Sequence, residues 1–199
     1  DVFVCAQHRG ERPGSGTCPN ATDVDKFEEV IDGCERLLIY CTPITQPKAL
    51  SRVWCLFELM SAMKRGVSVM VALSAVDRAE LRRLLFQELD RIITLFTSIK
   101  SENAEATYEE DRVMVMGWIR RDLGEEGCKK LDELVAEGMR VWLAETGQRL
   151  VEEERERGES TEALANLMMR VGVMLQDLGR FEEALVLKRR DLDMREAIL

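Results

Sequence analysis

"ALSRVWCLFELMSAM", Ala49 to Met63, is apolar at most positions yet carries one carboxylate, Glu58, near its middle. Its apolar residues and the absence of Gly and Pro predict a buried helix. On a helix the neighbours of Glu58 at three and four residues are Trp54, Cys55, Ser61 and Ala62. None is basic, so no local ion pair offsets the cost of burying a charge, and the carboxyl pKa is expected to rise. The alternative is that Glu58 meets an arginine, Arg52 or one from a loop, or reaches solvent, while Trp54 and Phe57 fill the core.

Short β-branched runs flank this helix. "RLLIYC" (36–41) precedes it and "VSVMVAL" (67–73) follows it, and "VFVCA" (2–6) opens the chain. Continuous apolar runs of this length are expected of strands covered on both faces. Between 2–6 and 36–41, Val24, Phe27, Val30 and Ile31 recur at helical spacing, with Gly33 as a stop. The order β-α-β-α-β implies right-handed crossovers, and hence an α/β fold with a parallel, doubly wound, flavodoxin-like sheet. The Gly/Pro-rich loop 7–22 falls at the carboxyl end of the first strand, where such sheets bind ligands, but it contains neither G-x-G-x-x-G nor a P-loop.

Beyond Leu73 the chain turns helical. "RAELRRLLFQEL" is amphipathic, whereas "RIITLFTSI" satisfies helix and strand periods alike. "DRVMVMGWIRRDLG" and "KKLDELVAEGMRVWLAETGQRL" read as helices, the second running into "VEEERERGES". That last run is so polar that it predicts an exposed helix end or a linker, with a boundary near Ser160. Residues 161–199 form a helical hairpin in which Gly179 ends the first helix and Gly172 and Ala184 permit close approach. One hairpin cannot bury its own apolar stripe, so it is expected to open a stacked array. The divisions are thus an α/β domain over 1–105, a helical extension with acidic linker over 106–160, and the hairpin over 161–199. The chain starts on a strand pattern without Met and closes on a helical run at Leu199, which predicts a piece cut at both ends.

With a formal net charge of −9 and no basic patch, nucleic acid and anionic membrane surfaces are not expected partners. No apolar run is long enough to cross a bilayer, and a cytoplasmic setting is expected. Six cysteines without C-x-x-C spacing and a single histidine, His8, predict no metal site and no histidine-based triad.

Residues Leu164, Leu167, Gly172, Leu175, Gly179, Phe181, Ala184 and Leu192, with "GRFEEA" and the closing "LDMRE", resemble a tetratricopeptide repeat of the kinesin-light-chain type. Asp191 stands where that pattern has Ala, and Lys188 where an aromatic is common. "FEEVIDGCERLLIYCT" followed by "SRVWCLFEL" resembles a Toll/interleukin-receptor (TIR) domain, whose plant members carry W-C-x-x-E-L. The combination resembles the large tetratricopeptide proteins of protists and algae, and would place the family's first strand upstream of Asp1. The resemblance implies a signalling or scaffolding protein that self-associates through its TIR-like part and binds protein or peptide partners through its repeats. It also implies an alternative, an NAD-cleaving enzyme with Glu58 as the catalytic acid, acting on a ribose hydroxyl or a developing oxocarbenium charge. In that case Trp54 would contact NAD as substrate, and no other cofactor is expected. A kinesin-light-chain-like cargo adaptor is the third role it implies.

Overall fold

Arg36–Tyr40 (β1) and Ser68–Ala72 (β2) pair in parallel, Arg36 opposite Ser68 and Tyr40 opposite Ala72, in a computed structural model that describes Ile31, residues 33–158 and residues 161–198. The expected strand at 2–6, the loop 7–22, the helix on Val24, Phe27 and Val30, and Cys5, Cys18 and His8 lie outside the described residues, as do 159–160 at the expected boundary. The crossover between β1 and β2 contains a 3-10 turn at Lys48–Ser51 and the helix Val53–Lys64 (α1). This is the β-α-β order that parallel pairing requires.

The two described strands present unlike faces. Leu37, Val69 and Val71 pack against the core and Ile39 is buried, but Leu38, Tyr40 and Met70 are exposed. Among the described residues the strands are therefore covered on one face. A continuous apolar run cannot distinguish a doubly covered strand from one whose outer face is also apolar, because alternation of side chains sends every second residue outward whatever its type. The Arg36 guanidinium lies over that outer face, with Nη1 3.8 Å from Met70 Sδ.

The remaining described elements are helical, so the protein is mostly helical with a small parallel sheet. Ala75–Gln87 (α2) starts at Ser74, whose hydroxyl accepts from the Asp77 amide at 3.1 Å. Leu89–Thr97 (α3) resolves the stretch that fitted both periods as a helix, with Ile92 and Phe96 fully buried. Glu109–Leu123 (α4) stops at Gly124, where φ is 86°. Gly127–Glu156 (α5) is a 30-residue helix against which α1, α3 and α4 all pack.

The polar end of α5 is a helix end, exposed at Glu152, Glu153, Arg155 and Glu156, with two residues turned inward. Val151 is fully buried and Glu154 is only 5 % exposed. Glu154 faces α2, where Arg82 donates to both its oxygens, at 2.5 and 2.7 Å, and Arg157 donates at 2.7 Å from the next turn. The inner side of "VEEERE" is thus held by Val151 and by a forked ion pair.

Glu162–Asp177 (α6) begins at Thr161, whose hydroxyl accepts from the Leu164 amide, and Phe181–Ile198 (α7) returns antiparallel to it after Gly179 at φ 74°. A Cβ on Gly172 would sit 3.5 Å from the Ala184 carbonyl oxygen, so the two helices do approach at the expected pair of small residues. Leu164, Leu167, Val171 and Leu175 of α6 are buried, and α6 packs on α5 and α2. This stripe of α6 is covered from within the chain, and one contiguous set of buried side chains runs from Ile39 through Phe57 and Trp142 to Leu187.

Candidate functional site

The start of α1 is fixed from outside the helix. The Val53 amide donates to the Glu105 carbonyl at 3.0 Å and the Glu105 amide donates back to the Ser51 carbonyl at 2.8 Å, while an Arg52 guanidinium nitrogen lies 3.3 Å from Thr107 Oγ1. Most of α1 is buried, and Trp54 and Phe57 meet Trp118 of α4 with ring centroids 6.0 and 5.5 Å apart. Arg52, Cys55 and Glu58 recur every third residue and form the stripe left over. They line a hollow of about 310 Å³ whose other wall is Leu37–Tyr40 of β1, with Ala49 at its edge.

Inside this hollow burial pushes the Glu58 carboxyl up to about 7, and no charge among the described residues opposes the shift. Arg52 shares the hollow with Glu58. The Cys55 thiol is pushed up to about 11, chiefly by burial and then by the Glu58 charge, with Arg52 pulling partly the other way. Behind it Cys41, fully buried, is pushed up to about 12 by burial, then by Cys55 and Asp77. Both thiols stay protonated at neutral pH and are poor nucleophiles there. The chemistry on offer is a carboxyl that exchanges a proton near neutrality, beside one guanidinium, in a pocket otherwise apolar. The volume lies at the lower end of small-molecule sites, enough for one ring of a ligand.

Of the two residues singled out from the sequence, Glu58 opens into the hollow and Trp54 does not line it. The indole is only 5 % exposed and packs edge-on against Trp118. Arg52 and Cys55 take the place expected for it in the wall, and the signal that finds them is their spacing of three from Glu58. Among the described residues no three His, Cys, Asp or Glu side chains converge as a metal site, and no helix is long and apolar enough to cross a membrane.

The hairpin offers a different kind of surface. Met169 and Val173 are exposed on α6, and Phe181, Leu185 and Leu192 on α7, Phe181 and Leu192 at 61 % and 60 %. Gln176 continues the α6 stripe and Lys188 lies within the α7 stripe, and Lys188 Nζ donates to Gln176 Oε1 at 2.6 Å. The two stripes therefore join into one apolar face. Asp191, where the repeat pattern has Ala, is buried and accepts from Arg195 Nε at 2.7 Å, while Arg195 Nη2 donates to Asn166 of α6 at 2.8 Å. This polar link ties the two helices together where a small apolar residue would have packed.

No family model matches the chain, and neither a curated protein nor a solved structure matches it.

Proposed function

We propose that the chain is a scaffold whose last two helices carry a docking face for an amphipathic helix of another protein. The observation that supports this is the joined stripe of Met169, Val173, Phe181, Leu185 and Leu192. Apolar side chains at helical spacing on two neighbouring helices present ridges and a groove of the kind that accepts a third helix with apolar residues at i, i+3, i+4 and i+7. The resemblance to tetratricopeptide and TIR proteins fits the same reading, with a cytoplasmic signalling or scaffolding role and self-association through the α/β part. The test is selection of a randomised amphipathic-helix library on the protein, with the Val173→Asp/Leu185→Asp variant as counter-target. Both positions are exposed, so the variant keeps its melting temperature. Enriched helices should bind the unaltered chain and lose at least about tenfold on the variant, the scale of one interface anchor. A library yielding no helix that distinguishes the two overturns the reading.

A second reading rests on Glu58. A carboxyl titrating near neutrality in a hollow can protonate a leaving group or hold a ribose hydroxyl, which is the requirement for cleaving NAD at its glycosidic bond. Incubation with NAD should then release nicotinamide, and Glu58→Gln should abolish the release while the fold persists. Absence of release from the unaltered protein removes this reading and leaves the first untouched.

A further inference from the structure

A groove of about 630 Å³ lies where the carboxyl end of β2 meets α2 and α5, and it is lined by Arg78, Arg82, Arg149 and Arg157. Four arginines in one groove stand out in a chain whose net charge is −9. Arg82 and Arg157 are committed to Glu154. Arg78 and Arg149 are not committed to any carboxylate. Arg78 Nη1 donates to the Leu73 carbonyl at 3.2 Å and Arg149 Nη2 to Thr146 Oγ1 at 3.0 Å. Each guanidinium is oriented by one arm, and neither forms an ion pair among the described residues. Among the described residues that line the groove the one carboxylate is Glu153, while Glu154 is taken up by Arg82 and Arg157, and Glu145, Glu152 and Glu156 line the adjoining hollow that shares Arg149. Its floor is apolar: Leu81, Leu85 and the edge of Trp142.

We infer that this groove binds a phosphate monoester carrying an aromatic or apolar body, the phosphate between Arg78 and Arg149 and the body on the Trp142 floor. Guanidinium forks match tetrahedral oxyanions in geometry and charge, and a phosphate monoester carries close to two negative charges at neutral pH. The position fits as well, since open parallel sheets receive ligands beyond the carboxyl ends of their strands. Glu153, in the same lining, opposes a bound anion. The inference is independent of both the docking face and Glu58, because no residue is shared with either.

Isothermal titration of the protein with phenyl phosphate, inorganic phosphate and a blocked phosphotyrosine tripeptide tests it. Phenyl phosphate should bind saturably and more tightly than inorganic phosphate, since only the former covers the apolar floor. Arg78→Ala/Arg149→Ala should weaken phenyl phosphate at least about tenfold, the size expected for lost charge-assisted hydrogen bonds. Both arginines are exposed and make only local contacts, so an unchanged melting temperature separates lost binding from lost fold. Glu153→Gln should tighten binding, because it removes an opposing charge. Tripeptide binding would mean that the phosphate can come from a modified protein side chain, and its exclusion would restrict the groove to small molecules; the inference stands in both cases. No saturable binding of phenyl phosphate, or an affinity that the double arginine variant leaves unchanged, overturns it.

Discussion

At Glu58 a local feature of the sequence becomes a thermodynamic one. The carboxyl rises from an ordinary value of 4.5 to about 7 in the folded protein because burial penalises its charged form. Below the unfolded value both states are protonated and the residue costs nothing. Between the unfolded and folded values only the unfolded chain ionises, so stability falls as pH rises from 4.5 to about 7 and levels off above that. Glu58→Gln keeps the shape and removes the charge. It should therefore be more stable than the unaltered protein by on the order of 2 kcal/mol at pH 8 and no more stable at pH 4. Urea denaturation at the two pH values reads this directly, and a difference independent of pH would mean that the carboxyl ionises without penalty. Much of this behaviour was legible beforehand, because the absence of a basic neighbour at helical spacing is a property of the residues around Glu58. The wall supplied by β1 was not legible, because it depends on how the crossover seats α1 beside the strand, and the same long-range packing turned Trp54 toward Trp118 instead.

Between elements, close approach is concentrated at glycines of α5, and two of them predict opposite outcomes. A Cβ on Gly147 would lie 2.6 Å from Val171 Cγ2 of α6, against a β-branched side chain with little freedom to withdraw. A Cβ on Gly138 would lie 2.1 Å from Met63 Cε, the tip of a flexible chain that can swing aside. Alanine gains about 1 kcal/mol of helix propensity at either position. Gly138→Ala should accordingly be neutral or stabilising, whereas Gly147→Ala should cost about 1–2 kcal/mol net of that gain, the usual scale of overpacking. In a Val171→Ala background the Gly147→Ala cost should vanish, a coupling that a double-mutant cycle by chemical denaturation measures. Additive effects of the two changes would show that the helices are not limited by this contact. Sequence periodicity finds such helices but not their neighbours. Leu89–Thr97 fitted two periods, and what decides for helix is packing, Phe96 lying edge-on to Trp142 of α5 with centroids 5.8 Å apart. The tail of α5 reads as an exposed helix end or a linker, and what its charges do not tell is the burial of Glu154, because its partner Arg82 is 72 residues away.

For the whole molecule the Arg82–Glu154 fork matters because it straps the helix that follows β2 to the helix on which the hairpin rests. Glu154 is held below the ordinary carboxylate range, first by the Arg82 hydrogen bonds, against an opposing cost of burial. Its contribution is present above the unfolded carboxylate range and is lost as pH falls through the folded value. Arg82→Ala leaves the carboxylate buried with Arg157 alone, and should cost about 1–2 kcal/mol at neutral pH, less than a fully enclosed pair because the Arg82 side chain is 41 % exposed. That cost should shrink in acid. The strap and the continuous buried set together imply that sheet and hairpin unfold as one unit. Leu167→Ala, at a buried position of α6, removes apolar volume worth about 2–5 kcal/mol. If the molecule is cooperative, that loss must appear equally in the far-ultraviolet dichroism of all the helices and in the near-ultraviolet signal of Trp54, Trp118 and Trp142, which belong to α1, α4 and α5 and lie outside the hairpin. The two probes should shift to the same lower urea midpoint with a single transition. A far-ultraviolet transition that splits while the tryptophan signal keeps its original midpoint would show that α6 and α7 unfold on their own, with α5 as a support that outlasts them.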